Sequence, residues 1–317
     1  MEFRRQAEAT IHNALVLFKL LIGHALADFI VRKKNLNKRN LLMKVLFVGS
    51  GERANACLKR LVLEKDIELE ILPSNFVIDG LNRNSTILFL RKSSIDVAIL
   101  CCNRIVSNKF LVVPEVTINL HGGLIPKYRG SSTLNWQIIN GELLGGCAVL
   151  RIKPDESIDC GEVLSSLTYP ISLDDTISTV TKKVNEIFPE MLINVLKQRK
   201  FRGDAQKEGI YWHHRRPEDS KIVFNQMTDI EVYNLVRASE KDYVAYCEST
   251  FGLINLVRIE KSLLLDKEYC GIPGRIIIDC QKVIVICKNR GLQIDTLKVN
   301  NRSVNAIKHL SSGDYLT

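Results

Sequence analysis

The chain has 317 residues, which is long enough for two domains. Its apolar fraction of 46% and charged fraction of 25% are those of an ordinary soluble globular protein. The nine cysteines are scattered and include no Cys-x-x-Cys pair. This pattern indicates reduced thiols in a cytosol, and it argues against a disulfide framework or a zinc site.

The net charge of +9 raises the question of nucleic-acid binding. Residues 1–42 hold eight basic and three acidic residues, whereas residues 211–317 hold 15 basic and 13 acidic residues. The positive excess therefore lies mainly in the N-terminal segment, and the second half of the chain is close to neutral.

Residues 1–42 differ in composition from the rest. Ala14 to Val31 is apolar except for Lys19, His24 and Asp28, and a basic cluster follows. About 18 residues could just span a bilayer, but the two central charges oppose insertion. A helix lying on a membrane or on a partner is therefore an equal alternative. We interpret this segment as an extension outside the folded domains, and we expect the first domain to begin at Met43.

From Met43 the pattern is a strand over Lys44–Val48, a glycine-rich turn, and a helix from Ala54 to Leu63. The sequence Gly49-x-Gly51-x-x-Ala54 imitates a dinucleotide-binding fingerprint, which leaves a nicotinamide oxidoreductase as one alternative. Because a single match of this kind is weak, we prefer a tight βα turn. The pattern predicts an open α/β sheet.

The stretch from Thr117 to Leu164 holds the main candidate site. Val116 to Leu120 reads as a buried strand that is ended by two glycines. Because residues two apart share a face of a strand, Asn119 and His121 should point the same way at its carboxyl end. Asp159 comes from a second loop, shortly before another apolar strand.

These three side-chain types suit acyl transfer to an amine. An amide can donate to a carbonyl oxygen that becomes anionic, and an imidazole can carry a proton near neutrality. A carboxylate can fix the imidazole tautomer. The alternative is a capped strand end with a hydrogen-bonded core histidine.

The combination of Asn119-x-His121, Leu-x-Pro-x-x-Arg129-Gly and Asp159-x-Gly-Glu resembles the folate-dependent formyltransferases. The resemblance extends from Met43 to the C-terminus. It implies that the three residues are catalytic and that 10-formyltetrahydrofolate is the formyl donor. The family usually has serine at the position of Gly123. Asp155 competes for the role of the acid, but only Asp159 precedes the Gly-Glu-Val-Leu sequence.

The resemblance also implies binding residues. Those for the donor's pterin ring come from two loops, and they are Arg104, Ile105, Val106, Asp155, Glu156, Ser157 and Ile158. Ile105 and Val106 could instead begin a helix. Arg129 and Ser131 are expected to bind the acceptor substrate, with a solvated Arg129 as the alternative. No metal site is expected, because the adjacent His213 and His214 should face opposite ways on an extended chain.

The implied fold is a doubly wound, Rossmann-like α/β domain over residues 43–205. A linker at 206–228 follows, and then a small OB-like β-barrel domain at 229–317. A helix at Ile230–Ser239 and regular short β-rich runs support the second domain.

The expected function is N-formyl transfer to a primary amine, most readily that of a nucleotide-linked amino sugar. The loop after the catalytic motif carries no added basic residues and continues Leu-Asn-Trp, as in the sugar formyltransferases. Methionyl-tRNA is the alternative acceptor. Two further alternatives for the function are a 10-formyltetrahydrofolate hydrolase and a binding module without catalytic activity. The protein is expected to be cytoplasmic, and the sequence leaves open whether it forms a homo-oligomer.

Overall fold

The computed structural model describes residues 42–72, 84–102, 105–240, 243–249 and 256–317. The apolar stretch within residues 1–42 and the expected pterin-binding Arg104 lie outside these ranges. Among the helices of the described ranges, none combines the length and apolar character needed to cross a membrane.

The first part of the chain forms a six-stranded mixed sheet in the order β2-β1-β3-β4-β6-β7. Strands β1 to β4 are parallel, whereas β6 and β7 run antiparallel to their neighbours. The strands are β1 Met43–Gly49, β2 Ile67–Leu72, β3 Val97–Cys101, β4 Val116–His121, β6 Leu144–Ile152 and β7 Val163–Pro170. The sheet is therefore mixed, with an antiparallel edge next to the strand that carries Asn119 and His121.

Both faces of this sheet are covered. Val45 and Phe47 of β1 pack into a core with the helices α1 (Glu52–Leu61) and α5 (Ile177–Gln198). Leu46 and Val48 face a second core, to which α2 (Asn84–Ser93) and α3 (Asn108–Leu111) contribute Leu90 and Phe110. Two covered faces explain why β1 reads as a continuous apolar run instead of an alternating one. This layering agrees with the doubly wound expectation apart from the antiparallel edge.

The long helix α5 begins later than its acidic residues indicated. Asp174 and Asp175 predict an acidic first turn for a helix over Asp174–Lys197, but the helix begins at Ile177 with Thr176 as N-cap. The side chain of Asp175 accepts a hydrogen bond from Ser172 N at 2.8 Å, so it closes the preceding turn. Thr176 and Thr179 form a capping box that fixes the first helical turn.

The C-terminal part forms an antiparallel sheet in the order β11-β12-β13-β10-β9, with β14 paired to β13. The elements are α6 Asp229–Arg237, β9 Tyr246–Glu248, β10 Leu256–Leu263, β11 Ile276–Asp279, β12 Lys282–Ile286, β13 Gly291–Val299 and β14 Arg302–Asn305. Bridges join Ser249 to Leu316 and Arg275 to Tyr315, so C-terminal residues contact both edges of the sheet. An antiparallel sheet is established, whereas the expected OB-like barrel remains a prediction.

The segment between the two sheets is tied to the loop after β4. The short strand β8 (Tyr211–Trp212) pairs in parallel with β5 (Arg129–Gly130). Trp136 of helix α4 (Thr133–Ile139) donates its indole N–H to the His213 carbonyl at 3.0 Å. Arg215 is buried and donates to the hydroxyls of Ser220 and Ser239. This segment therefore helps to shape the wall of the candidate site.

Candidate active site

Strand β4 places Asn119 and His121 at its carboxyl end. Its alternate residues Ile118 and Leu120 point into the core shared with α1 and α5, so Asn119 and His121 project from the other face. His121 is only 5% exposed, and Asn119 is half-buried. The structure thus shows the shared face that residue spacing predicted.

Asp159 joins the two side chains. Its Oδ1 accepts from the Asn119 amide at 3.1 Å, and its Oδ2 lies 3.3 Å from His121 Nδ1. Oδ2 also accepts from the backbone N–H of Gly130 at 2.9 Å. The carboxylate is buried, so its charge is stabilised by these donors and not by water. The three predicted catalytic residues lie together.

The second nitrogen of His121 is also engaged. Nε2 lies 2.6 Å from the backbone carbonyl oxygen of Tyr128. A carbonyl oxygen only accepts hydrogen bonds, so Nε2 carries a proton in this arrangement. The imidazole therefore lies between a carbonyl and a carboxylate, and its cationic form would satisfy both.

Tyr128 is fixed by contacts of its own. Its side chain is fully buried, its hydroxyl donates to Glu142 at 2.7 Å, and it accepts from Asn140 at 3.1 Å. Burial and the hydrogen bond to Glu142 raise the pKa of Tyr128, so the phenol stays protonated. Its ring stacks on Trp212 at a centroid distance of 5.6 Å. Sequence reasoning missed Tyr128, because every residue has a carbonyl and nothing in the motif distinguishes this one.

Two glycines allow the loop to approach the imidazole. A Cβ at Gly123 would overlap the Tyr128 carbonyl and lie 2.5 Å from His121 Nε2. Gly130 has φ +95°, and a Cβ there would overlap the Trp212 carbonyl. In this chain the glycine at 123 thus leaves room for the contact between His121 and Tyr128, where the family usually has serine.

The two loops expected to bind the pterin ring are tied together. Asn108 donates from Nδ2 to Asp155 Oδ1 at 2.5 Å and accepts from Asp155 N at 3.2 Å. Asp155 is therefore paired with Asn108, away from the cluster around His121, and has φ +63°. Asn108 was not anticipated from the sequence, although asparagine side chains commonly bond to backbone groups in turns and at helix starts.

These two loops present apolar side chains to solvent. Ile105 is 76% exposed and Ile158 is 41% exposed, while Val106 packs against the core under β3. The short helix α3 begins only at Asn108, so Ile105 and Val106 precede it. Glu156 accepts from Lys153 N at 3.0 Å, and the Ser157 carbonyl accepts from Cys160 N at 3.1 Å. Exposed isoleucines beside backbone groups are suited to a flat heteroaromatic ring.

Arg129 and Ser131, the expected acceptor-binding residues, have partners within the chain. Arg129 Nε donates to Gln206 Oε1 at 3.0 Å, and its Nη2 donates to the Lys207 carbonyl at 2.6 Å. Ser131 Oγ lies 3.1 Å from His214 Nδ1. Both residues border the candidate site, but these contacts join them to the linker segment.

Gln206 connects Arg129 to the Asp159 loop. Its Nε2 donates to the Asp159 carbonyl at 2.8 Å and to the Gly161 carbonyl at 2.6 Å. Asp159 has φ +55°, a left-handed conformation that is uncommon for a non-glycine residue and that the contacts of Gln206 help to hold. Sequence reasoning assigned no role to Gln206, because it lies in a polar stretch 47 residues away in the chain.

The described residues contain no group of three or more His, Cys, Asp or Glu side chains suited to a metal ion. His213 Nε2 lies 3.0 Å from Asp219 Oδ2, whereas His214 contacts Ser131. The two adjacent histidines thus have separate partners. All nine cysteines are free thiols, and burial raises the pKa of Cys101, in the core of β3, to about 12.

Comparison with known proteins agrees with this geometry. A family model described as "Formyl transferase" matches residues 23–196, and one described as "Formyl transferase, C-terminal domain" matches residues 215–314. The first match covers the mixed α/β sheet that carries Asn119 and His121, and the second covers the antiparallel sheet. The chain is therefore a formyltransferase of the class with two domains. The chain belongs to the folate-dependent formyltransferase family.

Among sequence relatives, the bifunctional polymyxin resistance protein ArnA of Wigglesworthia glossinidia brevipalpis is 33% identical over 200 residues. That match covers 60% of this chain but only 29% of ArnA. A methionyl-tRNA formyltransferase of Clostridium tetani (strain Massachusetts / E88) is 29% identical over 276 residues, covering 76% of this chain and 86% of that protein.

A solved structure similar in fold is the N-formyltransferase from Helicobacter canadensis in complex with folinic acid and dTDP-3-aminofucose. Its TM-score is 0.59 at 17% identity, and the alignment covers 80% of this chain and 99% of that one. At this identity the similarity concerns the fold.

Proposed function

We propose that this chain transfers a formyl group from 10-formyltetrahydrofolate to a primary amine. The observation that carries the proposal is the single carboxylate of Asp159, which contacts both the Asn119 amide and the His121 imidazole. An oxyanion donor, a proton carrier and an orienting acid are the groups that direct acyl transfer needs.

The residues present fit the donor. The loops that carry Ile105 and Ile158 are joined by the Asn108–Asp155 hydrogen bonds, and they offer apolar side chains with adjacent backbone groups. We propose that these loops, with Arg104, Val106, Glu156 and Ser157, hold the pterin end. When bound, the folate supplies the formyl group on its N10.

Asn119 is placed to stabilise the developing oxyanion. One of its two amide N–H groups donates to Asp159, which leaves the other to donate to the formyl oxygen as it gains charge. The neutral amine attacks the formyl carbon, a C–N bond forms, and the bond from that carbon to N10 breaks. Asn119 is therefore an electrostatic catalyst that is oriented before the reaction begins.

The attacking amine must lose a proton, and the N10 leaving group must gain one. We assign this transfer to His121, with Asp159 stabilising the cationic imidazole. Because both ring nitrogens face acceptors, one contact must open for the proton to move. The Asp159 contact at 3.3 Å is the longer of the two, so Nδ1 is the nitrogen that we expect to exchange the proton.

For the acceptor we propose a nucleotide-linked amino sugar. A tRNA-binding enzyme depends on phosphate neutralisation, yet residues 211–317 carry 15 basic against 13 acidic residues. A nucleotide sugar has one diphosphate, for which the guanidinium of Arg129 and the hydroxyl of Ser131 lie at the border of the site. The Leu-Asn-Trp sequence resembles that of the sugar formyltransferases. In this chain its Asn135 donates a hydrogen bond to the Ala238 carbonyl at 2.8 Å, which fixes the helix next to the site.

Methionyl-tRNA is the second candidate acceptor. It is favoured by the sequence similarity to methionyl-tRNA formyltransferases, which reaches 29% identity over 276 residues. Hydrolysis of the donor by water is a further, weaker candidate.

We also propose the domain limits that the sequence indicated. Residues 43–205 would form the catalytic domain, 206–228 the linker and 229–317 the second domain, with residues 1–42 outside the enzyme. The family-model matches extend past two of these limits, since they begin at residues 23 and 215. The free thiols agree with a reducing compartment, for which we propose the cytoplasm.

The decisive test is a turnover assay with 10-formyltetrahydrofolate, in which candidate acceptors are compared. We expect formylation of a nucleotide-linked amino sugar with weak dependence on salt. Efficient formylation of methionyl-tRNA, with activity falling steeply as salt rises, would establish the second candidate instead. Folate turnover without any amine would indicate hydrolysis.

A further inference from the structure

A cavity of about 640 Å³ lies between the two parts of the chain. It is bordered by the start of α5, by α6, by β10 and by residues of β13 and β14. The Asp159 loop precedes β7 and the Asp174 segment follows it, and eight residues of strand span about 25 Å. The cavity is thus separate from the candidate active site, and its volume is that of a small-molecule site.

A β-bulge in β10 shapes one wall. The register of β10 against β13 shifts on both sides of Lys261. Val257 and Ile259 are buried before the bulge, and Ser262 is buried after it, so the bulge changes which residues face inward. Around the bulge, Glu260, Lys261, Ser262 and Leu263 all line the cavity. In a regular strand the next inward-facing residue after Val257 and Ile259 would be Lys261, and the bulge replaces it with Ser262.

Two polar atoms in this wall have no partner. Ser262 is only 4% exposed, and its Oγ forms no hydrogen bond with any residue of the described ranges. The same holds for Glu260 Oε2, a buried carboxylate oxygen. Leaving such groups unpaired is unfavourable, so native proteins normally satisfy them. Both atoms can accept a hydrogen bond, and both residues line the same cavity.

The charges of the cavity favour a cationic ligand. Arg237 is used in structure, because its Nε donates to Asn234 and its Nη1 to the carbonyls of Ser172 and Asp175. Lys261 lies 3.2 Å from Asp295. The lining carboxylates of Asp174, Glu240 and Glu260 form no ion pair with another residue that the structure describes.

Hydroxyl groups complete the lining. Ser178, Ser262, Thr296 and Ser303 come from four different elements around the cavity. A hydroxyl both donates and accepts, so a set of them matches the hydroxyls of a ligand. Carboxylate groups that have no cationic partner among the described residues can bind the ammonium group of a ligand.

From this arrangement we propose that the cavity between α5, α6 and the β10 bulge binds a small polyhydroxylated amine of the amino-sugar class. The ammonium group contacts Glu260 and Glu240, and the ligand hydroxyls contact Ser262 and Ser178. The site does not share residues with the cluster around His121. It therefore remains open to test whatever the acceptor of the formyl group proves to be.

The test is calorimetric titration of the full chain, without folate, with D-glucosamine as the probe. D-glucose lacks the amine and N-acetyl-D-glucosamine lacks the charge, so they are the matched controls. We expect glucosamine to bind and the two controls to bind about tenfold more weakly or less, since each lacks the charge-assisted contact. Absence of glucosamine binding, or equal binding of all three sugars, would overturn the proposal.

Variants locate the binding site. Glu260→Gln should weaken glucosamine binding by about tenfold, and Ser262→Ala by a few-fold. The control is Glu268→Gln, which removes an exposed carboxylate in the loop between β10 and β11 and should leave binding unchanged. Ser262→Ala removes a hydroxyl without a described partner, so the variant should fold, and its melting temperature checks this.

One further comparison separates this cavity from the catalytic site. His121→Ala should bind glucosamine as the unaltered chain does. If binding were lost in His121→Ala but kept in Glu260→Gln, the probe would occupy the candidate active site, and the proposal would be wrong.

Discussion

The carbonyl oxygen of Tyr128 lies 2.6 Å from Nε2 of His121, seven residues away in the chain. This contact fixes the side of the imidazole that faces away from Asp159. It also makes the orientation of His121 depend on the loop between Gly122 and Tyr128, and on the residues that hold Tyr128 in place. Substitutions outside the three proposed catalytic residues should therefore change the rate.

Asp159→Asn should lower kcat by about two to four orders of magnitude, the range expected for an acid–base group. The asparagine has one acceptor oxygen in place of two, so it cannot serve Asn119, Gly130 and His121 together. The measurement is formyl transfer under saturating donor and amine, with circular dichroism to show an intact fold.

Asp155→Asn is the matched control for that substitution. Asp155 is one of the proposed pterin-binding residues and pairs with Asn108, and an asparagine keeps an oxygen that can accept from Asn108 Nδ2. With saturating donor we therefore expect kcat to stay within a few-fold of the unaltered chain, and any loss to fall on the KM of the donor. The reverse pattern, an active Asp159→Asn and an inactive Asp155→Asn, would show that the acid has been assigned to the wrong residue.

Gly123→Ser should lower kcat about tenfold or more, although the family usually has serine at this position. A Cβ at Gly123 would overlap the Tyr128 carbonyl and press on His121 Nε2, and displacements near 1 Å in an active site can cost about a hundredfold. Gly122→Ala is the control, since a Cβ there first meets the flexible end of Arg53 at 3.2 Å. Equal activity of both variants would contradict the described loop geometry.

Several features of the site could be predicted from the sequence because they follow from local periodicity. The alternation of a strand places Asn119 and His121 on one face, whereas the apolar residues Ile118 and Leu120 point to the other. Asp159 was assigned through the Gly-Glu-Val-Leu sequence that follows it, and the structure places it beside both residues.

Other features depend on contacts between distant segments, which no local pattern encodes. The pairing of β5 with β8 joins residues about 80 apart, and Gln206 reaches the Asp159 loop across 47 positions. The antiparallel direction of β6 could not be read from its apolar run, because buried strands of either direction look alike. The start of α5 was placed too early because acidic residues fit both a turn and a first helical turn.

Gln206→Leu should lower kcat about tenfold, with little change in the KM of the amine. The amide of Gln206 holds the carbonyls of Asp159 and Gly161, and leucine of similar size removes both hydrogen bonds. The Asp159 loop would then lose contacts that maintain its φ of +55°. Gln226→Leu, at an exposed position, is the control. A kcat equal to that of the control would show that the loop is held by other means.

A chain that begins at Met43 should fold and turn over like the full-length chain. This expectation rests on the start of β1 at Met43 and on the compositional break before it. Soluble yield, melting temperature and kcat are the measurements. An insoluble or inactive product would show that residues before Met43 contribute to the enzyme.

The final prediction concerns stability at low pH. Burial alone would raise the pKa of Asp175, but hydrogen bonds from Lys183, the Ser172 N–H and Thr179 outweigh it and lower the pKa to about 2. Because the folded-state pKa lies below the ordinary value of 3.8, the charged carboxylate stabilises the fold above about pH 4, and this contribution is lost as the pH falls towards 2. It amounts to at most about 2.5 kcal/mol, since a tenfold change in proton affinity corresponds to about 1.4 kcal/mol. Urea unfolding of the unaltered chain and Asp175→Asn between pH 7 and pH 2.5 should therefore give free energies that differ most at neutral pH and converge in acid. Asp174→Asn removes an exposed neighbouring carboxylate that has no ion pair to a described residue. Its free energy of unfolding should therefore match that of the unaltered chain at every pH.

A difference between Asp175→Asn and the unaltered chain that stayed constant with pH would show that the charge of Asp175 does not stabilise the fold.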